Sequence, residues 1–179
     1  MLGKFHSVTR ALIATSKVTI ATVRGNCLGG GAELALVCDM AYTTASAQWG
    51  FPEIKLGCFP PVAAVALSAA VGQKRAADLV LSGRSITGEE ARQIGLANDA
   101  VADFDLNRAV NEATARLSQL SPAALALTKK ALYCWDAIHL DKGLERAERI
   151  YVDELMKTDD AREGITAFLE KRKPAWKAR

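Results

Sequence analysis

The sequence predicts an α/β fold, and three neighbouring features support this. Residues 18–23, VTIATV, are β-branched at nearly every position, which is typical of a strand buried on both faces of a sheet. A glycine-rich turn at residues 25–31 leads into helix-forming residues 32–38, and residues 39–44 return to strand character. The helix between these strands is long enough to connect them in parallel, so a parallel sheet is expected.

The rest of the chain divides into an α/β part and a helical part. The α/β part, residues 1–103, adds a leading helix at 4–16, helices at 62–71 and 73–82, a short helix capped from Thr87 and a brief strand at 98–101. The helical part, residues 104–179, contains predicted helices at 105–119, 122–136 with Ser121 as cap, 140–157 and 160–171. Because no flexible linker separates the two parts, we expect them to pack together.

Composition limits the classes of partner. The chain has 179 residues, of which 50% are hydrophobic, enough to bury a core. Its net charge of +3 arises from 23 basic and 20 acidic residues, a mixed surface that does not suggest nucleic-acid binding. No stretch approaches the roughly 20 apolar residues that cross a bilayer. We therefore expect neither a nucleic-acid nor a membrane partner.

The cysteine pattern disfavours a metal site. Cys27, Cys38, Cys58 and Cys134 include no CxxC pair, and neither histidine lies near a cysteine pair. Free cysteines in apolar stretches usually act as small buried hydrophobes in a reducing compartment. We expect no metal and a cytoplasmic location.

The glycine-rich turn is the first candidate functional feature. A glycine turn that opens a helix leaves backbone N–H groups free to bind a carboxylate, a phosphate or a developing oxyanion. Its spacing matches neither a dinucleotide motif nor a P-loop. Glu33 lies three residues after Gly30, so its carboxylate is expected on the same helix face. Alternatively, Glu33 complements the helix dipole.

Glu53 is the second candidate acid. It is a lone carboxylate in an apolar and aromatic segment between Gly50 and Gly57, where burial would raise its pKa. Two such carboxylates suit a site in which one handles water and the other a proton. Alternatively, Glu53 forms an ion pair with Lys55 or Arg24.

Several segments together resemble the crotonase (enoyl-CoA hydratase/isomerase) family. The residues that carry the resemblance are Ile20 to Ala35 followed by Cys38-Asp39, Gly50 to Gly57, Gly72 to Ala76, Leu81 to Gly83, Ala91 to Leu96 and Ala167 to Arg172. The resemblance implies a crotonase-like spiral of ββα units. The segment that forms the amino-terminal third of the family fold has no counterpart here, so we expect a fold truncated at its amino end and a chain that is a fragment.

The resemblance also implies a site and a substrate. The substrate is a coenzyme A thioester, no separate cofactor is needed, and the thioester oxygen becomes an enolate held by two backbone N–H groups, one of them from Gly30. The surrounding Leu28, Gly29 and Gly31 are expected to contact the substrate. Both glutamates of the hydratase branch are present here. The resemblance implies Glu33 as the base that activates water and Glu53 as the acid that protonates the α-carbon. The reverse assignment stays open because coupled carboxylates titrate as a unit.

The carboxy-terminal part matches family features of binding and assembly. Phe168 and Lys171 are expected near the coenzyme A moiety, on the same or a neighbouring subunit. Alternatively, Phe168 is a core residue and Lys171 a solvated charge. The helical region resembles the oligomerisation region of the family, which predicts a homotrimer or hexamer.

One departure narrows the acyl group. Phe59-Pro60-Pro61 stands where many hydratases have a glycine-rich opening to the next helix. Pro60 and Pro61 resemble the branch that hydrates cyclohexa-1,5-diene-1-carbonyl-CoA, so a cyclic dienoyl thioester is the narrower expectation. Two alternatives stay open: a double-bond isomerase of the same family, and an incomplete fragment that acts as an oligomerisation module.

Overall fold

The structure is a computed structural model that describes residues 2–133 and 136–177. Cys134 therefore lies outside the described residues. The helices are α1 (Leu2–Ala14), α2 (Gly30–Leu36), α3 (Pro61–Val71), α4 (Gln73–Ser82), α5 (Gly88–Gln93), α6 (Leu106–Ser118), α7 (Pro122–Leu132), α8 (Asp136–Arg149) and α9 (Asp159–Leu169). The strands are β1 (Ile20–Val23), β2 (Asn26–Leu28), β3 (Met40–Thr44), β4 (Gln48–Gly50), β5 (Ser85–Thr87) and β6 (Asp99–Val101). The α/β prediction is confirmed.

The strands of the described residues form two small sheets. The first has the order β1-β3-β6 with both pairs parallel, as the β-branched run and its crossover helix predict. The second has the order β2-β4-β5, in which β2 and β4 are parallel and β4 and β5 antiparallel. The chain crosses from the first sheet to the second at Gly25, whose φ of 69° is readily adopted by a residue without a side chain.

The second sheet was not predicted from the sequence. Residues 25–31 were assigned to a turn, yet Asn26–Leu28 inside that segment pairs with Gln48–Gly50. Each of the three strands is three residues long, too short to give a periodic pattern. Their pairing partners lie far away in the chain, so only tertiary contacts reveal them.

The main core fills the space between the sheets and helices α2 to α5. Trp49 and Phe51 are completely buried there, together with Leu67 of α3 and Leu79 of α4. The indole N–H of Trp49 donates a 3.0 Å hydrogen bond to the Oγ1 of Thr43, which satisfies its buried polar group. The strand that precedes Glu53 is therefore firmly anchored.

Helix caps agree with the sequence prediction at both predicted sites. The Glu90 N–H donates to the Oγ1 of Thr87 at 3.1 Å, and the Ala124 N–H donates to the Oγ of Ser121 at 3.3 Å. The second half of the predicted capping box is absent, because the Glu90 carboxylate accepts from Arg84 at 2.8 Å instead.

The predicted boundaries of three helices in the helical part need correction. The helix expected at 140–157 consists of α8, a π turn at Ile150–Glu154 and a 3₁₀ turn at Leu155–Lys157. Helix α7 ends at Leu132 rather than 136, and residues 134 and 135 lie outside the described part. Helix α9 begins at Asp159 because the Oγ1 of Thr158 caps it by accepting from the Ala161 N–H at 3.1 Å, and it ends at Leu169.

Three helices of the helical part pack directly on elements of the α/β part. Helix α6 covers β3 with Leu106 and Ala113, helix α8 packs on α3, and helix α9 packs on the 3₁₀ turn Pro52–Leu56. Among the described helices, none is both long and apolar enough to cross a membrane.

Candidate active site

The glycine turn joins the end of β2 to the start of α2. The Gly29 N–H donates a 2.9 Å hydrogen bond to the Gly50 carbonyl, which fixes the turn to β4. Gly30 is the first residue of α2, so its N–H has no carbonyl within the helix to donate to. This N–H group has the chemistry required of an oxyanion donor.

Gly29 also brings the turn against the second acid. Its φ of 58° favours glycine, and a Cβ at this position would lie 2.9 Å from the Oε1 of Glu53. The absence of a side chain at Gly29 therefore lets the Glu53 carboxylate approach the backbone of the turn.

Glu33 lies in the first turn of α2 and is 3% exposed. Its Oε1 accepts hydrogen bonds from the N–H groups of Val62 at 2.8 Å and Ala63 at 2.9 Å, at the start of α3. These amides are free because they belong to the first turn of that helix, which Pro61 opens. The segment containing Pro60 and Pro61, both buried, thus directs the amino end of α3 at the Glu33 carboxylate.

The pKa of Glu33 is raised to about 7, mainly because burial disfavours its charged form. The hydrogen bonds from Ala63 and Val62 oppose this rise, and the negative charge of Glu53 adds to it. Glu33 is therefore balanced between its two protonation states near neutral pH, as a general acid or base requires.

Glu53 lies in the 3₁₀ turn Pro52–Leu56, between β4 and α3. Its Oε2 is buried and has no hydrogen-bond donor in the described part of the chain. Burial raises the pKa of this carboxyl. An unpartnered buried carboxyl oxygen is costly in a purely structural role, so it points to a ligand or water as the missing partner.

The alternative ion pairs of Glu53 are not formed. The Arg24 guanidinium donates to the Asp103 carbonyl at 2.9 Å, on another part of the surface. No ion pair between the described residues joins Glu53 to Lys55 or Arg24.

The alternative suggested for Glu33, an interaction with a helix dipole, holds in part. This acid lies both in the first turn of its own helix and at the amino end of α3.

A third group beside the two acids was missed by the sequence analysis. Tyr151, in the π turn Ile150–Glu154, lies close to the Cys58 thiol. Its ring packs edge-on against Phe59, with centroids 5.3 Å apart. Burial raises the pKa of this phenol, and the nearby Cys58 thiol and the charges of Glu53 and Glu33 raise it further. No pattern in the sequence distinguishes Tyr151 from an ordinary helical residue.

The other predicted site residues lie at the surface. Leu28 is 38% exposed, Gly31 is exposed, and Phe168 on α9 is 65% exposed, so Phe168 is not a core residue of this chain. Lys171 is exposed just after α9 and has a φ of 55°, in the left-handed region. The structure thus brings Glu33, Glu53, Gly29 and Gly30 together with Pro60 and Pro61, while Phe168 and Lys171 lie on the outside of α9.

Two cavities lie away from the acids. One, of about 470 Å³, lies between the carboxyl end of α2 and helix α3 and is lined by Leu36, Asp39, Val65 and Asn98. The other, of about 300 Å³, lies on the β1 side of α2 and is lined by Thr22, Cys27, Leu34 and Gly31. No group of three or more potential metal ligands occurs among the described residues.

Comparison with known proteins identifies the class. The family model for enoyl-CoA hydratase/isomerase matches residues 2–179. The chain therefore belongs to the enoyl-CoA hydratase/isomerase, or crotonase, family and has its α/β fold, as the sequence motifs predicted.

Individual relatives agree with this assignment. The chain is 37% identical over 179 residues to cyclohexa-1,5-dienecarbonyl-CoA hydratase of Thauera aromatica, covering 100% of this chain and 69% of that protein. It is 40% identical over 170 residues to 2,3-dehydroadipyl-CoA hydratase of Escherichia coli strain K12, covering 94% and 66%. A crystal structure of carnitinyl-CoA hydratase from Mycobacterium avium superposes with a TM-score of 0.85 at 37% identity, covering 92% of this chain and 64% of that one. The chain thus spans about two thirds of the length of these relatives.

Proposed function

We propose that this protein is a hydro-lyase that adds water to a conjugated enoyl- or dienoyl-CoA thioester. The observation that carries the proposal is that the buried Glu33 and the half-buried Glu53 meet at the glycine turn. The Oε1 of Glu53 lies against Gly29, and the charge of Glu53 raises the pKa of Glu33. The hydratases among its relatives, each named for a coenzyme A thioester, support the same reaction class.

In this proposal the thioester carbonyl binds at the glycine turn. Gly30 donates its N–H to the carbonyl oxygen, and Leu28, Gly29 and Gly31 contact the substrate around it. Negative charge develops on this oxygen when water attacks the β-carbon, so a fixed donor lowers the barrier by roughly 3 kcal/mol. A second donor is required for a complete oxyanion hole in the family mechanism.

The two acids take different roles because their surroundings differ. Glu33 acts as the base, since two N–H groups at the amino end of α3 stabilise its charged form. It removes a proton from the water whose oxygen bonds to the β-carbon. Glu53 acts as the acid, since its buried Oε2 lacks any described donor to stabilise the anion. It delivers a proton to the α-carbon as the enolate collapses to the thioester.

The narrower substrate proposal is a cyclic dienoyl thioester. Pro60 and Pro61 open α3 beside Glu33, where a bulkier and more rigid backbone than glycine shapes the acyl pocket. The relative from Thauera aromatica, which is named for a cyclohexadiene thioester, supports this choice.

The proposal extends to binding and assembly. Phe168 and Lys171 contact the coenzyme A moiety of a substrate bound to the same or a neighbouring subunit, which is consistent with the exposure of Phe168 on α9 and of Lys171 just after it. The α/β part at 1–103 provides the catalytic groups, and the helical part at 104–179 assembles a homotrimer or hexamer in the cytoplasm. No separate cofactor takes part.

The test is hydration of a conjugated thioester by the purified protein. Ultraviolet absorbance of the conjugated system should fall on incubation, and Glu53→Gln should slow this fall by about 10²–10⁴-fold, the usual contribution of a positioned acid. Lys55→Gln, on the same 3₁₀ turn, is the matched control and should retain wild-type turnover. Unchanged turnover in Glu53→Gln would reject the assigned role.

Two alternative functions are each favoured by one observation. The same carboxylate pair could move a proton between carbons, as in an isomerase, and incorporation of labelled oxygen from water separates hydration from this reaction. The helical part exposes Leu127, Leu132 and Leu169, which suits an oligomerisation module without catalysis. Tight thioester binding by this chain would argue against that second alternative.

A further inference from the structure

The π turn after α8 is an irregular element beside the candidate active site. Residues Ile150–Glu154 wind more widely than an α-helix, and such turns are rare and occur frequently at functional sites. The side chain that this turn directs toward the acids is Tyr151, which is half-buried. Its neighbour Val152 is 53% exposed and points away from the core.

Helix α8, which leads into the turn, is held tightly in place. Leu144 is completely buried, and a Cβ at Gly143 would lie 2.6 Å from the Cγ1 of Val65 on α3. One turn later, the Glu148 carboxylate is hydrogen-bonded to the Nδ1 of His6, a side chain that is itself completely buried in α1. The position of Tyr151 is therefore set by the same helix, α3, whose amino end binds Glu33.

Tyr151 meets the site through two neighbouring residues. Its ring packs at 70° against Phe59, and the buried Cys58 lies close to it. The Cys58 N–H in turn donates to the Glu53 carbonyl at 3.1 Å. The two residues beside the phenol, Cys58 and Phe59, thus lie between the Glu53 turn and Pro60 in the chain.

We propose that Tyr151 and Phe59 form an aromatic wall that closes the acyl end of the pocket and restricts the substrate to a short or cyclic acyl group. This inference rests on the proposed function of the same site and specifies its substrate class. The wall has one ring from each of two distant segments, so its position depends on the packing of α8 against α3.

A role as a wall fits Tyr151 better than a role as an acid or base. Its pKa is raised, so the phenol stays neutral at working pH and cannot act as a base. Its ring, which packs edge-on against Phe59, is the apolar surface that a substrate can contact. A rigid aromatic surface excludes additional methylene groups, which would otherwise increase affinity by being buried.

The test measures the binding of saturated thioesters. Because these cannot be hydrated, their affinities show which acyl groups the pocket accepts, independently of catalysis. Affinities for butanoyl-, cyclohexanecarbonyl- and decanoyl-CoA are compared by calorimetry. The wild-type protein should bind the first two at least about tenfold more tightly than decanoyl-CoA, a ratio within the range that a few methylene groups produce. Tyr151→Ala and Phe59→Ala should each reduce this ratio to about threefold or less.

Two further variants separate a wall from a general structural effect. Tyr151→Phe keeps the ring and should keep the preference, and Val152→Ala changes the same π turn on its exposed side and should do likewise. The proposed wall is rejected if the wild type binds all three thioesters with equal affinity. It is also rejected if both alanine variants bind thioesters and keep the wild-type ratio of affinities. If both alanine variants fail to fold, Tyr151→Leu replaces them, because leucine retains much of the side-chain volume. This variant must still reduce the ratio of affinities, and an unchanged ratio would reject the proposal.

Rejection of the aromatic wall can be distinguished from rejection of the proposed hydratase function. A wild-type protein that shows the acyl-size preference yet does not hydrate a conjugated thioester would reject the hydratase and keep the wall. Hydration without any size preference would reject the wall and keep the hydratase. Loss of all thioester binding in the wild type would reject both.

Discussion

Glu33 experiences two opposing effects whose balance sets its chemistry. Loss of water around a buried carboxylate costs several kcal/mol, whereas a hydrogen bond to a charged group returns about 1.5–3 kcal/mol. The two amides of α3 therefore offset much of the cost, and the charge of Glu53 tips the balance, so the pKa settles at about 7. A carboxyl group that would otherwise be ionised at neutral pH is thus available in both forms.

The same pKa predicts how stability depends on pH. Because the pKa of Glu33 is higher in the folded protein than its ordinary value of 4.5, protonation stabilises the fold fully below pH 4.5, and this contribution is lost as pH rises through about 7. Glu33→Gln cannot ionise and keeps an oxygen for the Val62 and Ala63 amides. We expect this variant to gain on the order of 2 kcal/mol of stability relative to wild type between pH 5 and pH 8.5.

Urea unfolding at the two pH values measures this difference. Glu145→Gln, an exposed glutamate on α8, is the control for a general change of charge. If Glu33→Gln and wild type change in parallel with pH, Glu33 does not carry the raised pKa. The measurement needs no substrate, so it tests the electrostatics of the site apart from its activity.

At the scale of elements, Glu53 depends on a contact between its 3₁₀ turn and α9. A Cβ at Gly164 would lie 2.2 Å from the Leu56 carbonyl oxygen, and a Cβ at Gly57 would lie 2.7 Å from the Asp160 carbonyl oxygen. Both of these glycines allow the backbones to approach closely. The carboxy-terminal helix therefore supports the turn that carries the proposed acid, although it contributes no side chain to the acids themselves.

Gly164→Ala should separate α9 from this turn. The added methyl group has a backbone oxygen in its way, so we expect a loss of about 1–3 kcal/mol in unfolding free energy. Turnover of a conjugated thioester should fall as well, because Glu53 moves with the turn. Thr166→Ala, an exposed position on the same helix, should change neither quantity. Full activity in a destabilised Gly164→Ala protein would show that the turn holds its position without α9.

At the scale of the whole molecule, a buried ion pair ties the helical part to the first sheet. Lys129 of α7 is 6% exposed, and its Nζ donates to the Asp39 Oδ2 at 2.7 Å and to the carbonyls of Lys17 and Leu12. Asp39 precedes β3 and also accepts from the Thr19 N–H at 2.6 Å. Burial alone would raise the pKa of Asp39, but the hydrogen bonds from Lys129 and Thr19 lower it.

Removal of the lysine charge should therefore destabilise the whole molecule. Lys129→Met leaves the Asp39 carboxylate buried without its cation, so we expect a loss of about 3–5 kcal/mol by urea unfolding. The double variant with Asp39→Asn should recover part of this loss, because the uncompensated charge disappears. A single variant as stable as wild type would mean that water or Thr19 suffices for Asp39.

The two proposed acids were predictable because each lies in a short local motif. Glu33 follows the glycine turn at a fixed spacing, and Glu53 lies in an apolar loop bounded by glycines, so neighbouring residues alone marked them as unusual. The partners of these acids were not predictable. Nothing near Glu33 in the sequence indicates that Val62 and Ala63 bind its carboxylate, and nothing near Glu53 indicates Cys58 and Tyr151 beside it.

The sequence by itself determined the α/β fold class and the family, and it located the two proposed acids and most of the helices. These properties depend on the period of apolar residues, on caps and on contiguous motifs, all of which are local. The tertiary structure decided the second sheet, the π turn, the amide pair on Glu33 and the position of Tyr151. Each of these depends on segments far apart in the chain, and the close packing of α8 on α3 and of α9 on the Glu53 turn determines which groups meet.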